Sequence, residues 1–115
     1  PGLTTNKHHR MMTSIMNEGF GYGGMLAVDT GSYKKAAKLM TRMQQEKVGY
    51  LAVSLGYFKT LFSSPGHSTS SEIPEKEQKS MGLSDGLIRF SVGIDNDMTI
   101  AYERILKCIK EINII

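Results

Sequence analysis

The stretch GLSDGLIRFSVGIDND, residues 82–97, decides the fold and poses the functional question, because its strand-like centre carries an arginine. From Ile88 to Ile94 it alternates large apolar residues with small or polar ones, the period of a half-buried strand. Side chains on a strand point to opposite faces in turn, so Ile88, Phe90, Val92 and Ile94 share one side. Arg89, Ser91 and Gly93 share the other.

Two upstream segments divide the same way. In the strand expected over residues 24–30, Leu26 and Val28 oppose Met25, Ala27 and Asp29; in YLAVSL, residues 50–55, Leu51, Val53 and Leu55 oppose Ala52 and Ser54. If the aliphatic sides lie under helices, Ser54, Arg89, Ser91 and Gly93 come together on the opposite face. A water-facing sheet normally collects Lys, Glu and Thr, whereas this one collects Ala, Ser and Gly around one Arg, which leaves room for a ligand. The guanidinium fork makes two parallel, charge-assisted hydrogen bonds to a carboxylate or phosphate, and a nearby serine adds another donor. Alternatively, Arg89 pairs with an internal Asp or Glu and only supports the fold. Spacing alone leaves both open.

The remaining segments supply the helices. NKHHRMMTSIMN, residues 6–17, places Met11, Met12, Ile15 and Met16 at helical spacing, and these methionines suit either a core or a packing surface. Ser32 is a natural N-cap for a helix over 33–46 whose apolar face is Tyr33, Ala36, Ala37, Met40 and Met43, closed by Gly49. The tail after Asn96 or Asp97, either of which can cap it, carries Ile100, Ile105, Leu106, Ile109 and Ile112 on one side, with Glu103 and Lys107 as an i,i+4 pair. Residues 56–86 are dense in Ser, Gly and Pro and read as loop, with a short strand over Thr69–Glu72 and a short helix opening at Pro74. The expectation is one domain over 1–115 of α/β class: an α+β two-layer sandwich, in which a small, mostly antiparallel sheet carries its helices on one face.

Composition narrows the function. The chain has 115 residues, enough for one core, with 40% hydrophobic and 22% charged residues. No apolar run approaches the roughly 18 residues of a membrane span, and the N-terminus lacks the apolar centre of a signal peptide, so no membrane role is expected. The net charge of +3 is spread as lysines among glutamates, which argues against a nucleic-acid surface. The single Cys108, within the last helix, cannot form an internal disulfide, and a cytoplasmic protein is expected.

Three motif-like features lose to plainer readings. Gly19, Gly21 and Gly24 satisfy G-x-G-x-x-G, but a helix precedes and a strand follows, the reverse of a dinucleotide site. His8 and His9 are neighbours on a helix, about 100° apart and poorly placed for one metal. Asp95, Asn96 and Asp97 lack the glycine and distal glutamate of a calcium loop, so no metal site is expected.

AVSLG (52–56) followed by SDGLIRFSVGID (84–95), with GFGYGGML (19–26) upstream and SPGHSTSSEIPEKEQKSMG (64–82) between, resembles the C-terminal part of the cystathionine/methionine family of pyridoxal-phosphate enzymes, in its methionine γ-lyase-like branch. The opening Pro1-Gly2-Leu3 is similar to the point where that family's chain enters its C-terminal domain. The resemblance runs through nearly the whole chain. It implies the small domain of a fold-type-I enzyme, with the large domain, the pyridoxal 5'-phosphate and the Schiff-base lysine upstream; no lysine here stands in the family's Ser-x-Thr-Lys context. On this reading the residues alone are not catalytic.

The resemblance further implies that Arg89 grips the substrate α-carboxylate, that Ser54 and the backbone at Leu55 assist it, and that Thr69 lies near the active site. It implies a PLP-dependent C–S lyase carrying out γ-elimination on a sulfur amino acid such as methionine or cystathionine, assembled as a homo-tetramer. The alternatives are a transferase of the same family, a cystathionine γ-synthase or O-acetylhomoserine sulfhydrylase, and a stand-alone carboxylate-binding module. The chain departs from the family where Ser64 and Ser70 stand for histidines, His67 for a small residue, and Tyr57 for a small or acidic one. These departures surround the substrate loop and bear on the preferred substrate.

Overall fold

The computed structural model describes residues 1–94 and 97–114. Along the chain lie α1 (His9–Ile15), β1 (Met25–Asp29), α2 (Tyr33–Gln45), β2 (Tyr50–Leu51), β3 (Leu61–Ser63), a 3-10 turn at Pro65–His67, α3 (Glu75–Ser80), β4 (Leu87–Ser91) and α4 (Met98–Glu111). The four strands form one sheet in the order β1-β4-β3-β2; β4 is antiparallel to both neighbours, and only the edge pair β2–β3 is parallel. The mostly antiparallel α/β sandwich expected from the sequence is therefore present.

Ser32 caps α2 as its side-chain oxygen accepts from Lys35 N at 3.4 Å. The helix buries Ala36, Leu39, Met40 and Met43 against Val48, Phe62 of β3, Ile88 and Phe90 of β4 and Cys108 of α4. Phe62 and Phe90 are cross-strand partners with ring centroids 5.9 Å apart, an edge-tilted pair at the centre of the core. Asp97 caps α4 by accepting from Thr99 N at 2.8 Å, while the other candidate, Asn96, lies outside the described residues along with Asp95. The two long helices are tied outside the core by Arg42 with Glu111 at 2.6 Å and Lys107 with Glu46 at 3.2 Å.

Several expectations need correction. Leu39, not Tyr33, belongs to the buried face of α2, because Tyr33 begins the helix beyond the edge of the core and stays 40% exposed. Gly49 does not end α2: the turn is made by Lys47 in a left-handed conformation, φ 57°, with Val48 N closing on Met43 O. Gly49 is small because the Thr60 backbone passes where a Cβ would stand. In α4, Ala101 and Cys108 are buried and Ile100 is about half exposed, and Lys107 pairs with Glu46 and Glu111, with no bond to Glu103. None of α1 is buried, so its methionines make no core.

The larger correction concerns strands. Thr69–Glu72 is turn, and the strand beside β4 is β3, Leu61–Ser63, in the region read as loop. β2 stops at Leu51; Ala52 N still bonds to Phe62 O at 3.1 Å, and residues 53–57 leave the sheet. β4 ends at Ser91; beyond it Val92 N and Ile94 N still bond to Gly24 O and Phe58 O, both at 2.8 Å, but Ile94 is exposed.

Candidate functional site

Arg89 occupies the middle of β4, opposite Ala27 of β1 and Ser63 of β3. Directly paired residues on neighbouring strands point to the same face, so the row Ala27–Arg89–Ser63 puts one guanidinium between two small side chains. Its Nη2 donates to Val53 O at 2.7 Å, and its Nε is buried with no acceptor among the described residues. Among the described residues no carboxylate pairs with Arg89. An internal ion pair, the competing account of this arginine, is therefore absent among those residues.

Ser54 reaches this face by a different route from the one its alternation suggested. Val53 O accepts from Arg89 and Gly56 N donates to Ser91 Oγ at 3.3 Å, so Ser54 and Leu55 lie between two anchors on β4. Both side chains are exposed, Leu55 at 57%, and neither bonds to Arg89. The structure thus brings Arg89, Ser54 and Leu55 into one region. Thr69 is exposed in the turn after the 3-10 segment, and no hydrogen bond connects it to the other three.

Gly93 was expected to leave space for a ligand, but that space is filled. A Cβ there would collide with Phe58 O, Lys59 C and Thr60 N, and Gly93 N donates to Thr60 Oγ1 at 3.0 Å. The room lies elsewhere. A cavity of about 500 Å³ runs between α2 and the segment after β2, with Met40, Leu51, Val53, Ser63, Ser64 and His67 in its wall. Ser63 and Ser64 are buried, and their hydroxyls, like Arg89 Nε, have no partner. Ser63 and Ser64 stand in the cavity wall, and Arg89 does not.

Two of these groups were missed in the sequence. Ser63 sits on a three-residue strand, too short for alternation to show, and the only signal was the pair Leu61-Phe62 inside an otherwise polar segment. Val53 contributes a carbonyl, which residue type does not reveal.

His67 has another task. Its ring stacks on Tyr33 at 3.7 Å, and its Nε2 lies 2.7 Å from Asp85 Oδ1, while Asp85 Oδ2 accepts from Tyr33 N at 3.0 Å. The Tyr33 N–H, and then the bond to His67, hold the Asp85 carboxyl below the ordinary Asp range. This clasp joins the 3-10 turn to the start of α2 and to the approach to β4. Tyr57, another departure, packs on Phe58 at 4.6 Å and is half exposed.

Residues 1–102 match the sequence model of the Cys/Met metabolism PLP-dependent enzymes. The chain is 45% identical over 94 residues to a methionine gamma-lyase of Arabidopsis thaliana, covering 81% of this chain and 21% of that protein. It is 33% identical over 96 residues to a cystathionine gamma-lyase of Bacillus subtilis, covering 84% and 24%. In three dimensions it matches a Campylobacter jejuni chain assigned as an O-acetylhomoserine (thiol)-lyase, whose crystal structure contains a pyridoxyl-lysine phosphate. That match has a TM-score of 0.81 at 25% identity and covers 96% of this chain and 25% of that one. The chain therefore spans between a fifth and a quarter of the length of these relatives.

Proposed function

Because the chain belongs to the Cys/Met metabolism family of PLP-dependent enzymes, we propose that it is the C-terminal, substrate-carboxylate-binding domain of a C–S lyase. The substrate is a sulfur amino acid such as methionine or cystathionine, cleaved by γ-elimination. The cofactor-binding domain and the Schiff-base lysine lie outside these 115 residues, the complete enzyme is a homo-tetramer, and the domain by itself is inactive.

One observation carries the reading: a partly buried guanidinium with an unpaired Nε, among hydroxyls and small side chains, with no carboxylate partner among the described residues. The groups around Arg89 are donors for an anion, and the α-carboxylate of an amino-acid substrate is such an anion. The task of this domain is binding and orientation. A carboxylate held by two N–H groups of Arg89 has a fixed plane, which fixes the direction of the substrate Cα and of the bond to be broken. The 52–57 segment, anchored on Arg89 and Ser91, sets the depth at which the carboxylate sits.

A transferase of the same family is the second reading, supported by the structural match to an O-acetylhomoserine (thiol)-lyase. Incubating the complete enzyme with methionine, cystathionine and O-acetylhomoserine, with and without sulfide, separates the two. Release of a 2-oxo acid and a thiol from methionine or cystathionine without sulfide supports the lyase. Turnover of O-acetylhomoserine that requires sulfide supports the transferase. In either enzyme Arg89→Lys is expected to raise KM roughly ten- to a hundred-fold while leaving the cofactor's absorbance unchanged, because one charge-assisted bond is worth about 1.5–3 kcal/mol.

A further inference from the structure

We infer that Ser63 is a further binding residue for the carboxylate held by Arg89, donating its hydroxyl to the same anion; this rests on the reading of Arg89 given above. Ser63 is the direct antiparallel partner of Arg89, so the two Cβ atoms share a face and stand about 5 Å apart. Ser63 is 3% exposed, and its Oγ is buried without a hydrogen-bond partner. A hydroxyl in that position is costly to leave unpaired, and so is the neighbouring Arg89 Nε, which is in the same condition. The two orphaned donors belong to directly paired residues on adjacent strands, so one carboxylate, with its two oxygens, can satisfy both.

Among the described residues no other protein group fills that role. The segment bearing Ser54 contributes its Val53 carbonyl to Arg89 Nη2, and the Ser54 hydroxyl makes no bond to Arg89. Ser91, on the same face of β4, is already engaged by Gly56 N. Ser63 and Val53 also stand in the wall of the cavity of about 500 Å³ beside α2. The ligand is a carboxylate, an acceptor with two oxygens: one oxygen takes Arg89 Nε, and the other can take the hydroxyl of Ser63.

The test compares, in the complete enzyme, an amino-acid substrate analogue with the amine that lacks only its α-carboxylate. Ser63→Ala is expected to weaken binding of the amino acid roughly ten-fold and to leave binding of the amine unchanged. Ser63→Thr, which keeps the hydroxyl on a strand-compatible side chain, is expected to restore the affinity. Equal weakening of amino acid and amine by Ser63→Ala, or no weakening while Arg89→Lys still weakens the amino acid, overturns the assignment of Ser63 alone. If Arg89→Lys also leaves amino-acid binding unchanged, the carboxylate site itself is refuted and the role of Ser63 falls with it.

Discussion

At Gly93 the chain has no room for even a methyl group, since Phe58 O, Lys59 C and Thr60 N crowd the place where a Cβ would sit. Gly93→Ala is therefore expected to push the 58–60 segment off the end of β4. The cost should be about 1–3 kcal/mol, the usual range for overpacking, read as a lower urea midpoint. An unchanged midpoint would show that the segment yields freely. The same residue marks a limit of the sequence reading. Gly93 was legible as small and on the Arg89 face, but whether a small residue makes space for a ligand or for the chain's own backbone depends on a loop whose path no pattern encodes. Arg89 was legible because one cation among small residues breaks the normal composition of a sheet face. Ser63 was not, because its importance comes only from the residue opposite it.

Among the elements, those with long apolar periods were placed well: α2, α4 and the centre of β4. The short strands were not. β2 and β3 have two and three residues, less than the alternation needs to repeat, and their position comes from pairing with β4 and α2. The start of α2 offers a test of its own. Asp85 joins the Tyr33 N–H and His67, with Lys79 a further positive charge nearby, and its carboxyl is held below the ordinary range in the fold. Because the folded value is the lower one, the stabilisation is complete above the unfolded Asp value of about 3.9 and is lost as pH falls through the folded value. Asp85→Asn should therefore be less stable than the parent at neutral pH, with the gap closing below about pH 4. A gap that stays constant down to pH 2 in chemical denaturation would remove Asp85 as its source.

For the whole molecule, one layer of helices covers the core side of the sheet, and the opposite side carries Arg89, Ser63 and the anchored 52–57 segment. No helix among the described residues is long and apolar enough to cross a membrane. Large apolar side chains stay exposed at Leu3, Phe20, Leu26, Leu55 and Ile94, surfaces that a longer enzyme of this family would cover in our proposal. The α+β class and the family were both legible, because strand alternation and local motifs span most of the chain. The preferred substrate was not, because the residues that depart from the family pattern take structural parts here: His67 in a clasp and Tyr57 against Phe58. The central claim is that Arg89 recognises the α-carboxylate. The most direct measurement is the ratio of dissociation constants for an unreactive amino acid and its decarboxylated amine, in the complete enzyme and in Arg89→Ala. The account predicts that the parent prefers the amino acid by roughly ten- to a hundred-fold and that the variant loses this preference; a variant that keeps it would contradict the account.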